Sequence, residues 1–127
     1  MILFHGTDLD SALDILNNGL DATKLIAFQL NRPTQLGMGW YAACDAEVAW
    51  FFASLAPGNT GRGYTVIEIN IPEPILQQLI ASRFALRHTI ANVPFRARQY
   101  WFDVAAFVTL NTHAAFRPHT RQEPSHE

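Results

Sequence analysis

The chain has 127 residues, 49% of them hydrophobic and 16% charged, with a formal charge of −2. That is material for one domain with one packed core, and it excludes a disordered chain and a generally basic nucleic-acid binder. No apolar run approaches the roughly 18 residues that would span a bilayer, and Met1-Ile-Leu-Phe-His5 has no basic leader, so no signal peptide is expected.

One cysteine, Cys44, excludes an internal disulfide and a cysteine zinc site. The expected setting is the reducing cytoplasm. The charge is uneven: residues 1–60 carry Asp8, Asp10, Asp14, Asp21, Asp45 and Glu47 against Lys24 and Arg32. The stretch from Arg83 to Gln99 has Arg83, Arg87, Arg96 and Arg98 and no acid. Such a run is either a solvated loop or a patch for a phosphate-bearing ligand, RNA or an acidic partner.

Met1 to Phe4 reads as a short buried strand that stops at His5-Gly6. Thr7-Asp8-Leu9-Asp10 fits a capping pattern. Leu9, Ala12, Leu13, Leu16 and Leu20 then share one helical face, and Gly19 supplies the left-handed stop. Asp21 to Leu36 has no clean period and reads as a loop.

Gly37-Met38-Gly39 leads into a short strand, Trp40-Tyr41-Ala42-Ala43. Asp45 caps a helix through Leu55 that Pro57-Gly58 ends, with Ala49, Phe52, Ala53 and Ala56 on one face. Gly58 to Gly63 reads as a surface turn, without the pattern or following helix of a phosphate loop. Tyr64 to Ile71 alternates as a strand, and Pro72 and Pro74 open a helix through Ile80. Ser82 to Arg98 is the basic region, interrupted by Pro94. Gln99 to Leu110 reads as one or two strands. Residues 1–113 form the expected domain and 114–127 a polar tail. The fold class is α+β.

His5 at a strand end is either a core histidine with a satisfied hydrogen bond or a ligand-binding group. Gly6 beside it leaves a backbone donor and acceptor exposed to close approach, which suits a planar carboxamide. Tyr41 is either an ordinary strand aromatic or a flat surface for a ring. No His-x-x-x-His or His-Glu-x-x-His pattern occurs, so no metal is expected. There is no Gly-x-Ser-x-Gly, and Cys44 has no basic sequence neighbour, so a hydrolase triad is poorly supported.

The run Ile2-Leu-Phe-His-Gly-Thr through Gly19-Leu20 resembles the opening of the catalytic domain in poly(ADP-ribose) polymerase-like ADP-ribosyltransferases, where an apolar strand ends in His-Gly-Ser/Thr before a helix closing in Gly-Leu. Leu36-Gly-Met-Gly-Trp-Tyr-Ala-Ala-Cys-Asp45 resembles that family's Gly-x-Gly-x-Tyr-Phe-Ala segment. The blocks stand in the family's order and cover about 35 of the 127 residues.

The resemblance implies split, curved β-sheets with small flanking helices around an NAD cleft. It implies that His5 bonds a ribose hydroxyl, that the Gly6 backbone holds the nicotinamide carboxamide with help from Thr7, and that Gly39, Tyr41 and Phe51 line the cleft. The family's third position, usually glutamate, falls on Gln99 in Arg98-Gln99-Tyr100-Trp101-Phe102. Glutamine keeps a hydrogen bond but loses the charge.

The implied function is mono-ADP-ribosyl transfer: NAD is cleaved, nicotinamide leaves, and ADP-ribose passes to a protein or nucleic acid, with His5, Tyr41 and Gln99 as catalytic residues. NAD is then a co-substrate and no metal is needed. Small transferases of this kind act as toxins or effectors, so an antitoxin or immunity partner is expected, with action in the cytosol after local synthesis or secretion, and no membrane. An NAD glycohydrolase and a non-catalytic NAD or ADP-ribose binding module are the alternatives on the same fold.

Overall fold

The computed structural model describes residues 1–29, 38–55, 63–90 and 97–120. The elements in chain order are β1 (Ile2–Asp8), α1 (Leu9–Asn18), α2 (Ala22–Gln29), β2 (Trp40–Ala43), α3 (Ala46–Ser54), β3 (Tyr64–Asn70), α4 (Glu73–Ala81), β4 (Ala85–Ile90), β5 (Ala97–Phe102), a 3₁₀ turn (Val104–Ala106), α5 (Phe107–His113) and β6 (Ala115–His119). The strands form one six-stranded antiparallel sheet in the order β4-β5-β2-β1-β3-β6. This is an α+β architecture.

The local signals act as their chemistry dictates. Asp8, not Thr7, caps α1, its carboxylate accepting from the Ser11 N–H at 3.0 Å. Gly19 takes φ 79° and returns its N–H to the Ile15 carbonyl. Asp45 caps α3 by accepting from the Glu47 N–H. Pro72 and Pro74 stand at the start of α4, where a missing N–H costs nothing.

Other expectations are corrected: β1 does not stop at His5-Gly6 but runs through them to Asp8, and residues 85–90 of the basic region form β4. Residues 22–29, read as loop, form α2, started by Asp21 accepting from the Lys24 N–H at 3.0 Å. The apolar run after Phe102 turns helical, because Asp103 caps the 3₁₀ turn that leads into α5. Residues 115–119, assigned to the tail, pair with β3 as β6. The rest of the expected loop (30–36), the Gly58–Arg62 turn, Pro94 and residues 121–127 lie outside the described residues.

Each sheet face has its own core. The larger contains Leu3, Trp40, Ala42, Ile69, Tyr100 and Phe102 under α4 and α5, represented by Leu76, Leu79, Phe107 and Leu110. The smaller contains Ala43, Val66 and Ala97 beneath Val48, Ala49 and Ala53 of α3, flanked by Phe4. Asn111 ties α5 to the end of α1: its side chain accepts from the Leu20 N–H and donates to the Leu20 carbonyl, both at 2.9 Å.

The six strands are not joined evenly. β1 and β3 are in register from Ile2–Asn70 to Asp8–Tyr64, and β4 and β5 from Ala85–Phe102 to Ile90–Ala97. Between β1 and β2 the register has a single pair, Phe4 with Ala43. The sheet is thus two three-stranded halves joined at one residue pair.

Candidate functional site

His5 stands at that junction. Its Nδ1 lies 2.6 Å from the Tyr41 carbonyl oxygen. A carbonyl only accepts, so Nδ1 carries the proton and Nε2 of the neutral ring is an acceptor. The ring stacks on Trp40 at 4.3 Å and 29°. Burial pushes the imidazole down from 6.5 to about 4, against the smaller upward pull of the Tyr41 carbonyl and of Asp8. His5 is therefore neutral at pH 7. It is also a strut, holding β1 to β2 where the backbone ladder does not.

Gly6 is shaped by packing. A Cβ there would sit 2.8 Å from the Ala53 nitrogen and 2.9 Å from the Ala53 Cβ, and closer still to the Ala49 carbonyl oxygen. Alanines one turn apart on α3 bring that helix down onto the bare backbone of β1. The glycine thus has a structural reason to be there, whatever it binds. Gly39 is similar: a Cβ would meet the Phe102 carbonyl and the Trp101 indole. Its backbone is engaged as well. Gln29 donates from Nε2 to the Gly39 carbonyl at 2.7 Å and accepts from the Gly39 N–H at 2.9 Å. Thr7 donates its hydroxyl to the Asp8 carboxylate at 3.2 Å. Burial pushes the Asp8 carboxyl up, but hydrogen bonds from Ser11 and Thr7 outweigh it and hold it below its usual value.

Strand alternation separates the remaining residues. Leu3 and His5 point to the larger core, whereas Phe4 and Gly6 point to α3. Trp40 and Ala42 belong to the larger core, so Tyr41 between them points to the α3 face. Ala97 belongs to the smaller core and Tyr100 to the larger, so Gln99 also points to the α3 face. The structure brings Tyr41 and Gln99 to one face and sets His5 on the other, joined to Tyr41 through its backbone. Phe51 lies half-buried on α3, its ring edge-on to Phe52 at 5.4 Å.

Gln99 is only 5% exposed. Its Nε2 lies 2.8 Å from Nε2 of His88 on the facing position of β4. Compared with family models, with curated proteins and with solved structures, the chain matches none. The site is therefore read from its own chemistry and from the two motif blocks.

One further grouping, around Glu68, was not visible in the sequence. Glu68, registered with Phe4 on one side and Arg117 on the other, holds Arg117 and accepts from His119 Nδ1 at 2.7 Å. Those hydrogen bonds, His119 first, keep the Glu68 carboxyl below its usual range. Their residues are 49 and 51 positions apart, so only the β3–β6 register unites them. The Cys44 thiol is pushed up by burial, against Arg87 and Arg98, so it is a poor nucleophile. Among the described residues, no group of three His, Cys, Asp or Glu side chains is placed to hold a metal ion, and no helix is long and apolar enough to cross a membrane.

Proposed function

We propose that the chain is a mono-ADP-ribosyltransferase that takes NAD as substrate and transfers ADP-ribose to a macromolecular acceptor, protein or nucleic acid. The observation that carries the proposal is His5 at the junction of the half-sheets, neutral, with Nδ1 committed to the Tyr41 carbonyl and Nε2 left as an acceptor. A ribose hydroxyl is a donor of the right kind for that nitrogen. The order of the two motif blocks and the division of the sheet at Phe4–Ala43 support the same reading.

In this reading NAD lies along the division, where a ligand reaches residues of both faces. His5 Nε2 accepts from a ribose hydroxyl, the Gly6 backbone meets the nicotinamide carboxamide, and Tyr41 and Phe51 give apolar walls. The bond from ribose C1 to the nicotinamide nitrogen breaks, and its electron pair leaves with nicotinamide. The oxocarbenium-like ribose is captured by a nucleophile of the acceptor, which then loses its proton. The protein contributes positioning and exclusion of water. Gln99 supplies a hydrogen bond but no negative charge, which fits single transfer to an acceptor that brings its own nucleophile. An antitoxin or immunity protein is the partner such an activity calls for if the chain acts as a toxin.

A second reading, a non-catalytic NAD or ADP-ribose binding module, is favoured by one observation. The third-motif residue is a buried amide already bonded to His88, on the face opposite His5. Incubation of the protein and a cell lysate with radiolabelled NAD separates the readings. Label fixed to protein or nucleic acid and lost in His5→Ala supports transfer. NAD binding with no label fixed and no nicotinamide released refutes it in favour of the module, and free ADP-ribose as the product refutes it in favour of a glycohydrolase.

A further inference from the structure

The sheet ends in β6 on one side and β4 on the other. An edge strand presents unpaired N–H and C=O groups to any chain that can lie beside it. β6 is blunted: it is five residues long, its Pro118 lacks an N–H, and Glu68 holds its Arg117 and His119. β4 runs for six residues without a proline. Among the described residues no strand lies beyond it.

The two faces of β4 differ in chemistry. Arg87 is registered with Tyr100 and so stands on the larger-core side of the sheet. Arg98, two residues before Tyr100 on β5, points the same way. Both arginines are exposed, and among the described residues neither is in an ion pair. Both also pull on the Cys44 thiol, against its burial, so the two charges sit together. Leu86, registered with Trp101, points to the opposite face and is 44% exposed. Phe84, just before the strand, is exposed as well. A chain laid along β4 would meet cations on one face and apolar surface on the other, alternating with a period of two.

Three occupants compete for such an edge. A nucleic acid would use the arginines but not the backbone edge or Leu86, and the chain as a whole carries a charge of −2. A second copy of β4 would bring like guanidiniums together, which is destabilising. An acidic protein segment in extended form satisfies the backbone, the charges and the apolar face at once. We propose that the outer edge of β4 takes an extended segment of a protein partner as an added strand, with acidic side chains on the Arg87 face and apolar ones on the Leu86 face. The proposal is independent of the NAD reading, since β5 and β2 separate β4 from the strand that bears His5.

The probes are two acetylated peptides of about eight residues, one alternating Glu with Val and one alternating Lys with Val. Each is titrated into the full chain and followed by fluorescence anisotropy and by amide hydrogen exchange. The Glu–Val peptide is expected to bind and to slow exchange at the outward amides of β4. The Lys–Val peptide is expected to bind at least about tenfold more weakly. The Arg87→Glu, Arg98→Glu double variant is expected to reverse that preference, which shows at once that it is folded and that the two arginines set the specificity. No binding of the Glu–Val peptide, equal binding of both peptides, or binding that leaves β4 exchange unchanged overturns the proposal. So does a single-stranded RNA of similar length that binds more tightly than the Glu–Val peptide, which makes the edge a nucleic-acid surface. A concentration-dependent dimer of the chain alone with β4 exchange slowed overturns it too, in favour of an interface between copies.

Discussion

Gly6→Ala is the substitution that distinguishes a packing role from a purely ligand-binding one. The added methyl meets the Ala53 nitrogen at 2.8 Å and the Ala53 Cβ at 2.9 Å, and the Ala49 carbonyl oxygen more closely still. Two of these are backbone atoms of α3, which no side-chain rotation moves aside. Relief requires α3 to lift from β1 by about 1 Å, and overpacking of this kind typically costs about 1–3 kcal/mol. With backbone on both sides of the clash we expect the upper end, about 3 kcal/mol, which for a domain of this size lowers Tm by roughly 10 °C. Urea and thermal unfolding followed by circular dichroism, without NAD, read it directly. Ala53→Gly in the Gly6→Ala background removes the Cβ contact and leaves the carbonyl one, so it is expected to restore little. A Gly6→Ala protein as stable as the parent, within 0.5 kcal/mol as an approximate threshold for an inert site, would refute the close approach of α3 to β1.

Other changes test other joints. The His5 ring has a folded-state pKa of about 4 against 6.5, so between those values the unfolded chain binds a proton that the native chain does not. Stability should therefore fall as pH drops from 6.5 towards 4, by on the order of 2–3 kcal/mol, and urea midpoints of His5→Gln should lack that component. Asn111→Ala removes the acceptor and donor that hold Leu20, and should cost about 1–2 kcal/mol in urea unfolding. Glu68→Gln weakens the hold on Arg117 and His119, so amide hydrogen exchange should quicken in β6 and stay unchanged in β4.

Much of the fold was legible where the signal is local. The Gly19 stop, the Asp45 cap, the alternation of β3 and the prolines before α4 each act within a turn of the chain. The elements that escaped are set by distant partners. α2 has a readable start at Asp21 but no amphipathic period, and Leu25 finds its place only against the larger core. β6 contains Pro118 and looks like tail until β3 offers its edge. The Val104–His113 run is rich in strand-forming residues, and the Asp103 cap overrides that preference.

The site was half legible. The sequence flagged His5, Gly6, Tyr41 and Gln99, and it gave His5 both a core and a ligand reading; the structure shows the satisfied hydrogen bond and ring stacking of the core reading, and the ligand reading is the proposal made above. The sequence did not reveal that Gly6 is needed by Ala49, that Gln29 takes the Gly39 backbone, or that His88 faces Gln99. Those facts depend on helix placement and strand register, which no spacing encodes.

The most direct test of the account is nicotinamide release from NAD by the purified chain, with and without lysate, compared with His5→Gln. The account predicts release that requires lysate and falls at least about tenfold in a His5→Gln protein whose fold is retained, since the variant loses the ring acceptor aimed at the substrate. Undiminished release in His5→Gln, or no release from the parent chain under either condition, would contradict it.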